Sequence, residues 1–216
     1  MATDGSREFD VRAAAHAVLL PAIADTTLTP ALERYLRAGG ISLLLGETRE
    51  EYVARAMSAG RVASESTDEI ARVAAKVREL ASAPTLIAVD EEPGGIRRFA
   101  HATADPPLDE GLEALEIVAA EVGRGLRKLG VNVALGPVID VEGGESGWLK
   151  GRFLSADAAI VGDLGAAFIK GIQAAGVAAT PKHFPGHRGI AGDPMIDAEA
   201  DSTVSWSATT STPPRS

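Results

Sequence analysis

Five short apolar runs, separated by helical patterns, most constrain what this chain can fold into. Apolar runs of this kind are typical of buried parallel strands. Strands that alternate with amphipathic helices favour a parallel α/β sheet, either doubly wound or a β/α barrel. The predicted strands are Ala17–Ile23, Ile41–Leu45, Thr85–Val89, Val131–Leu135 and Val177–Thr180.

Caps and apolar spacing mark the helices between these runs. Thr29 and Pro30 predict a helix start, and Gly39-Gly40 predicts its end. Ser66 and Glu69 predict a capping box at the start of a second helix. Apolar residues at helical spacing predict two more helices. One carries Leu112, Leu115, Val118, Val122 and Leu126. The other is capped by Ser155 and carries Ile160, Leu164, Phe168 and Ile172.

The position of the glycines and of the polar clusters favours the barrel. No glycine-rich phosphate loop follows the first strand, and Gly143-Gly144 is not followed at once by the helix that dinucleotide binding needs. Polar clusters instead follow strands three, four and five. A site built from several βα loops is typical of a β/α barrel.

Composition excludes several classes of function. The chain of 216 residues carries a formal net charge of −9, which argues against a nucleic-acid partner. It contains no cysteine, which excludes disulfides, thiolate metal sites and cysteine nucleophiles. The apolar segment Ala13–Ala24 is too short to span a bilayer, and we identify no signal peptide. We expect a cytoplasmic protein with no membrane partner.

The cluster after strand three contains Asp90 and, eight positions later, Arg98. A carboxylate at a strand end can accept two sugar hydroxyls. An arginine beyond a glycine turn can return to the same pocket, and its planar fork donates several hydrogen bonds. The alternative is a solvated acidic loop with a local ion pair.

The cluster after strand four offers two further candidates. Asp140 can orient a neighbouring Arg or His, or it can cap the loop backbone, as loop aspartates commonly do. Arg152 follows in a glycine-rich connection. A lone loop arginine is most often exposed, so its role stays open at this point.

The cluster after strand five is the segment Thr180–His187, with Lys182 and His183 side by side. Such a pair at a strand end favours a functional site, because burying an unpartnered lysine is costly. His187 follows four positions after His183, which suits a metal pair only on a helix. Pro185-Gly186 between them forbids that helix, so we predict no metal.

Four blocks, in order, carry a resemblance to a known family. They are Leu43–Thr48, Ala88–Phe99, Val131–Val141 and Thr180–His187. Together they resemble the N-terminal barrel domain of glycoside hydrolase family 3, and are most similar to its β-N-acetylhexosaminidase branch, which acts in peptidoglycan recycling. The likeness covers roughly residues 10 to 204. The family domain has eight strands, so the resemblance implies an incomplete (β/α)8 TIM barrel with about five of eight βα units.

The resemblance implies a role for each candidate residue. Asp90 is similar to the carboxylate that binds sugar hydroxyls, and Arg98 to the arginine that shares this task. Arg152 lies where the family has an arginine that touches the N-acetylated sugar. Lys182 and His183 resemble the Lys-His pair that contacts the sugar ring. A carbohydrate substrate, no cofactor and a retaining mechanism with a glycosyl-enzyme intermediate are implied.

The chain departs from the family pattern at the catalytic groups. The branch has a His acid/base held by an Asp two residues earlier; Asp193 matches that Asp, but Met195 stands where the His is expected. A thioether has no proton to give, so it cannot perform acid–base catalysis. Pro93 and Gly95 replace the usual Gly and Arg of the strand-three loop. The family nucleophile follows a seventh strand, which we do not find.

These observations predict two segments and leave three functions open. Residues 1–205 are expected to form a partial barrel domain, and residues 206–216 a disordered or frameshifted tail rich in Ser, Thr and Pro. The first function is an O-glycosyl hydrolase, inactive as this fragment. The second is a non-catalytic sugar- or muropeptide-binding relic of the same fold. The third is a metabolic barrel enzyme of other chemistry that uses Lys182.

Overall fold

The computed structural model describes residues 10–143, 147–184, 186–187 and 192–193. Within these residues, helices alternate with short strands. The helices are α1 (Val11–Ala17), α2 (Pro30–Arg37), α3 (Arg49–Ala54), α4 (Ala59–Ser64), α5 (Thr67–Leu80), α6 (Leu112–Lys128) and α7 (Ala158–Ala174). The strands are β1 (Ala22–Ile23), β2 (Ser42–Leu45), β3 (Leu86–Asp90), β4 (Val133–Leu135) and β5 (Ala178–Ala179), and Gly147–Leu149 forms one 3-10 turn.

The order of the strands decides between the two predicted architectures. All four pairings are parallel, and the order in the sheet, β1-β2-β3-β4-β5, is the order along the chain. A doubly wound sheet reverses its strand order at a switch point, whereas a barrel adds each new strand on the same side. The five described strands therefore form part of a β/α barrel, as predicted.

The first predicted strand is wrong over most of its length. Residues 11–17 form α1, and β1 begins only at Ala22. Asp10 caps this helix, because its Oδ1 accepts hydrogen bonds from the backbone N–H groups of Arg12 and Ala13. The alanine-rich segment then continues as helix, and Val18 after it is 82% exposed. Leu19 and Leu20 are exposed as well, so the apolar run after α1 is not a buried strand until Ala22 and Ile23 pair with β2.

The other predicted elements are confirmed to within about two residues. Thr29 caps α2, with Pro30 at its first position. Ser66 and Glu69 form the predicted capping box of α5. The cap of α7 is Asp157 rather than Ser155, although the Ser155 hydroxyl accepts a hydrogen bond from the Asp157 backbone N–H.

Two short helices between β2 and α5 escaped prediction. Both carry caps that can be read from the sequence, namely the Thr48–Glu51 capping box of α3 and Ser58 at the start of α4. Their length of six residues each leaves little room for an apolar periodicity. They matter for the site because α4 ends at Ser64, directly before Glu65, whose side chain is 6% exposed and pairs with Arg98.

The core lies between the sheet and its helices. Leu43, Ile87 and Ala134, on three adjacent strands, are fully buried. Helices α6 and α7 pack closely because glycines lie at their contact. A methyl group placed on Gly171 would come within 2.3 Å of the Glu116 carbonyl oxygen, so only glycine fits there. None of the described helices has the length and apolar character needed to cross a membrane.

Candidate functional site

A cluster of charged side chains lies at the carboxyl edge of the sheet, where β3 and β5 end. The Lys182 ammonium donates to Asp90 Oδ1 and lies 2.7 Å from Glu92 Oε1. Asp90 and Lys182 are only partly exposed, with 16% and 17% of each side chain accessible. Parallel strands deliver their last residues to one edge, so two residues 92 positions apart meet there.

A buried ion pair underlies this cluster. Arg152 donates from Nε to Glu92 Oε2 at 2.9 Å and from its second terminal nitrogen to Glu92 Oε1 at 2.7 Å. Glu92 is 0% exposed, and the Ile96 backbone N–H also donates to it. Burial alone would raise the pKa of the Glu92 carboxyl, but the Arg152 bonds and the Lys182 charge lower it overall. Two cations therefore hold Glu92 ionised beneath the site.

The lowered pKa of Glu92 predicts an acid-sensitive stability. An unfolded glutamate titrates near 4.5. The stabilisation by Glu92 is therefore fully present above that pH and is lost as the pH falls through the lower folded pKa. We expect Glu92→Gln to reduce the free energy of unfolding by about 3–5 kcal/mol at neutral pH, and by progressively less on acidification. Urea unfolding at several pH values measures this.

Glu113→Gln, an exposed carboxyl on α6, is the matched control and should change stability little at any pH. A Glu92→Gln deficit that stays constant down to acid pH would show that the loss comes from packing and not from the charge.

The second group at this edge is built around Asp140. Its Oδ2 accepts from His183 Nδ1 at 2.7 Å, and its Oδ1 accepts from the His187 backbone N–H at 2.7 Å. Burial tends to raise the pKa of Asp140, but the His183 hydrogen bond and two backbone N–H donors lower it overall. Asp140 thus performs both predicted tasks, since it orients a histidine and holds the loop backbone. His183 keeps Nε2 for a ligand.

The strand-three loop is buried rather than solvated. Glu91 and Glu92 are 1% and 0% exposed. Glu91 is held by Arg97 at 3.0 Å and by the Thr103 hydroxyl at 3.1 Å. Burial raises the pKa of Glu91 despite the Arg97 charge. These contacts brace the loop that follows Asp90, so the alternative of a solvated acidic loop does not describe it.

Arg98 returns to the strand end, as predicted, but its side chain has other partners than Asp90. Its backbone N–H donates to the Asp90 carbonyl at 2.9 Å. Its guanidinium, in a side chain 2% exposed, donates to both carboxylate oxygens of Glu65, at 2.7 and 2.5 Å, and to the Gly46 carbonyl at 2.7 Å. Its assignment as a sugar contact stays a prediction.

An aromatic wall adjoins the cluster. The Arg152 guanidinium carbon lies 5.6 Å from the centre of a Trp148 ring. The ring centres of Trp148 and His183 are 5.5 Å apart. A cavity of about 180 Å³ opens beside them. Its lining is Tyr52, Val53, Arg55, Ile96, Trp148, Arg152 and Asp193.

Asp193 contacts this wall through its carboxylate. It accepts a long hydrogen bond of 3.5 Å from the Tyr52 hydroxyl, and burial followed by the Asp193 charge raises the pKa of Tyr52 to about 12. The structure thus brings Asp193 to the site region. Met195 lies outside the described residues, and so does the predicted tail 206–216.

Sequence reasoning missed several residues of this region. Glu92, Glu65 and Trp148 were assigned no role, although all three contact predicted site residues. Within the described part of the chain, no group of three or more His, Asp or Glu side chains is arranged to hold a metal ion. His183 and His187 stack edge to face, with ring centres 4.6 Å apart.

A strand order without reversal and a polar cluster at the carboxyl edge define a β/α barrel with its site at the usual face. The model of the glycosyl hydrolase family 3 N-terminal domain matches residues 36–205. The chain therefore belongs to this family.

Curated relatives are beta-hexosaminidases. The chain is 32% identical over 149 residues to the protein of Hydrogenovibrio crunogenus, a match that covers 63% of this chain and 42% of the relative. It is 36% identical over 137 residues to the protein of Methylococcus capsulatus, covering 59% and 41%. The chain thus spans less than half the length of these relatives.

Solved structures of similar fold belong to the same family. A family 3 beta-N-acetylglucosaminidase from a Paenibacillus species matches with a TM-score of 0.70 at 22% identity, over 86% of this chain and 35% of that one. A family 3 glycosyl hydrolase from Mycobacterium smegmatis matches with a TM-score of 0.63 at 25% identity, over 86% and 53%. These likenesses support the barrel fold.

Proposed function

We propose that this chain is the sugar-binding part of a glycoside hydrolase that acts on β-linked N-acetylhexosaminides. The observation that carries the proposal is the Lys182 ammonium held between Asp90 and Glu92 at the carboxyl edge of the sheet. The family and the beta-hexosaminidase relatives support it.

The contacts suggest how a sugar would be held. The second oxygen of Asp90 can accept sugar hydroxyls while Oδ1 stays on Lys182. Lys182 keeps donor capacity, because an ammonium has three N–H groups. His183 is fixed by Asp140, so its Nε2 has a set direction for a further hydrogen bond. Arg152 is 4% exposed and faces Glu92 and Trp148, and it supports the floor of the site.

The described carboxylates suit binding better than attack on an anomeric carbon. Asp90, Glu92 and Asp140 each bond to a lysine, arginine or histidine. A retaining glycosidase needs a carboxylate nucleophile and a separate acid/base group. We infer that these three residues orient the sugar. The second function, a non-catalytic sugar-binding relic of the same fold, rests on the same observation. A measurement of glycoside turnover distinguishes it from the hydrolase.

The third function, amine chemistry at Lys182, is disfavoured. A lysine that attacks a carbonyl must be neutral, which requires an apolar or cationic neighbourhood. Here the neighbourhood of Lys182 is anionic, because its amino group contacts the Asp90 and Glu92 carboxylates.

The purified 216-residue chain is expected to bind N-acetylglucosamine without hydrolysing an aryl N-acetyl-β-glucosaminide. Calorimetric titration measures binding, and release of the aryl group measures turnover. Turnover that exceeds a matched blank in the wild type and is lost in Lys182→Ala would contradict the binding-only expectation and establish an active enzyme. Absence of binding by the folded chain would refute the sugar site itself.

A further inference from the structure

Glu47 is a further carboxyl at the edge of the site. It follows β2 by two residues. Strand β2 pairs with β3, with Leu44 opposite Ala88, so the chain beyond β2 leaves the sheet beside Asp90. The adjoining Gly46 carbonyl accepts from Arg98, which holds the backbone at this point.

Glu47 differs from the neighbouring carboxylates in its partners. Its Oε2 atom is buried and has no hydrogen-bond partner among the residues that the structure describes. Asp90, Glu92 and Glu65, in contrast, are each bonded to a cation. Among the described residues, the cations bonded to these three carboxylates are Lys182, Arg152, Arg98 and Arg61, and Arg61 also pairs with a fourth carboxylate, Glu51, so cations and carboxylates match in number. Glu47 is therefore the carboxyl in excess.

Burial, and then the surrounding charges, set the pKa of this residue. Burial first, and then the Asp90 charge, raise the pKa of Glu47 to about 7. Glu92 acts in the same direction, whereas Arg98 and Lys182 oppose it. Among the described residues, these four are the charged groups that act most strongly on Glu47. Near neutral pH, a large part of the molecules carries a neutral carboxylic acid there, which has an O–H donor that a carboxylate lacks.

We propose that Glu47 is a further sugar-contacting residue, whose protonated carboxyl donates a hydrogen bond to a glycone hydroxyl while Asp90 accepts one. The inference rests on the proposed function. A sugar over this edge removes water from Glu47, and an uncompensated carboxylate is costly to cover. The neutral acid avoids this cost and forms a donor–acceptor pair with Asp90. Such a pair matches a ring hydroxyl, which both donates and accepts.

The sign of the pH dependence follows from this arrangement. If the sugar binds the protonated form, the fraction competent to bind falls as the pH rises above the pKa of Glu47. The apparent dissociation constant then rises about tenfold between about pH 6 and about pH 8. Glu47→Gln keeps an N–H donor and is neutral at every pH, so it should bind like the wild type at low pH and lose this slope.

The test is calorimetric titration of the full chain with N-acetylglucosamine across this pH range. Wild type, Glu47→Gln and Glu47→Ala are compared. We expect the alanine variant to bind about fivefold more weakly than the glutamine variant at every pH, because it loses one hydrogen bond. Carbon-13 NMR of the glutamate carboxyls gives a second readout, in which the signal missing from Glu47→Gln identifies Glu47. We expect this signal to titrate near neutral pH, and its pKa to rise when the sugar is bound.

The outcomes separate the two proposals. Suppose that the wild type binds the sugar. If Glu47→Gln then shows the same pH slope, or if Glu47→Ala binds with full affinity, the role of Glu47 is refuted and the sugar site is retained. A folded wild-type chain that binds no sugar at any pH overturns the proposed function, and with it the Glu47 contact. Any pH slope that remains in the glutamine variant belongs to groups other than Glu47.

Discussion

Replacing Lys182 with methionine is expected to abolish detectable binding of N-acetylglucosamine. The ammonium contacts both Asp90 and Glu92, so its removal deletes the donor to the sugar and also leaves two neighbouring carboxylates facing each other. Loss of a charged hydrogen-bonding group from a partly buried site costs about 3 kcal/mol or more, which is more than a hundredfold in affinity. Calorimetric titration measures the loss, and circular dichroism checks the fold.

Two further variants make the result specific. Lys76→Met removes an exposed lysine of α5, paired with Glu79 at 2.9 Å, and should leave affinity unchanged. Lys182→Arg keeps the charge and should retain part of the binding. Full affinity in Lys182→Met would remove Lys182 from the site and withdraw support from the proposed function.

The strands after the first were predictable because each lies in a short apolar run that is followed by a polar or turn-forming residue. Burial of β2 and β3 leaves a local signature of this kind, whereas the short β5 is marked by the buried Val177 directly before it. The order of the strands was not predictable in this way, since pairing joins residues far apart in the chain, such as Ala88 and Val133. The first strand was predicted too long because Val18, Leu19 and Leu20 are apolar but exposed, so the apolar run there did not mark burial and only Ala22 and Ile23 pair in the sheet.

The site was predictable only to the extent that strand ends meet at one edge. Asp90 is the last residue of β3, and Lys182 and Asp140 lie in the loops just after β5 and β4, so a parallel sheet brings all three to one edge. Glu92 could not be distinguished from an ordinary loop glutamate, because its burial depends on Arg152, 60 residues later. The same applies to Glu65, whose partner Arg98 lies 33 residues away.

Arg98→Met is expected to lower the free energy of unfolding by about 3–5 kcal/mol, a large fraction of the stability of a domain. The guanidinium is 2% exposed, and its loss leaves the Glu65 carboxylate, which is 6% exposed, without the two bonds at 2.7 and 2.5 Å. A buried carboxylate that loses its cation is costly to keep ionised. Urea unfolding measures the change.

Two comparisons decide whether this loss comes from the ion pair. Arg124→Met breaks a pair with Glu121 in which both side chains are more than half exposed, and should cost less than about 1 kcal/mol. After Arg98→Met, Glu65 keeps only the longer contact to Arg61, at 3.4 Å. Adding Glu65→Gln removes this poorly compensated charge, so the double variant should be more stable than Arg98→Met alone. A double variant less stable than Arg98→Met would mean that Glu65 stabilises the fold through its other partner, Arg61 at 3.4 Å, even without Arg98. A stable Arg98→Met that has lost only sugar affinity would instead favour the direct sugar contact implied by the family resemblance.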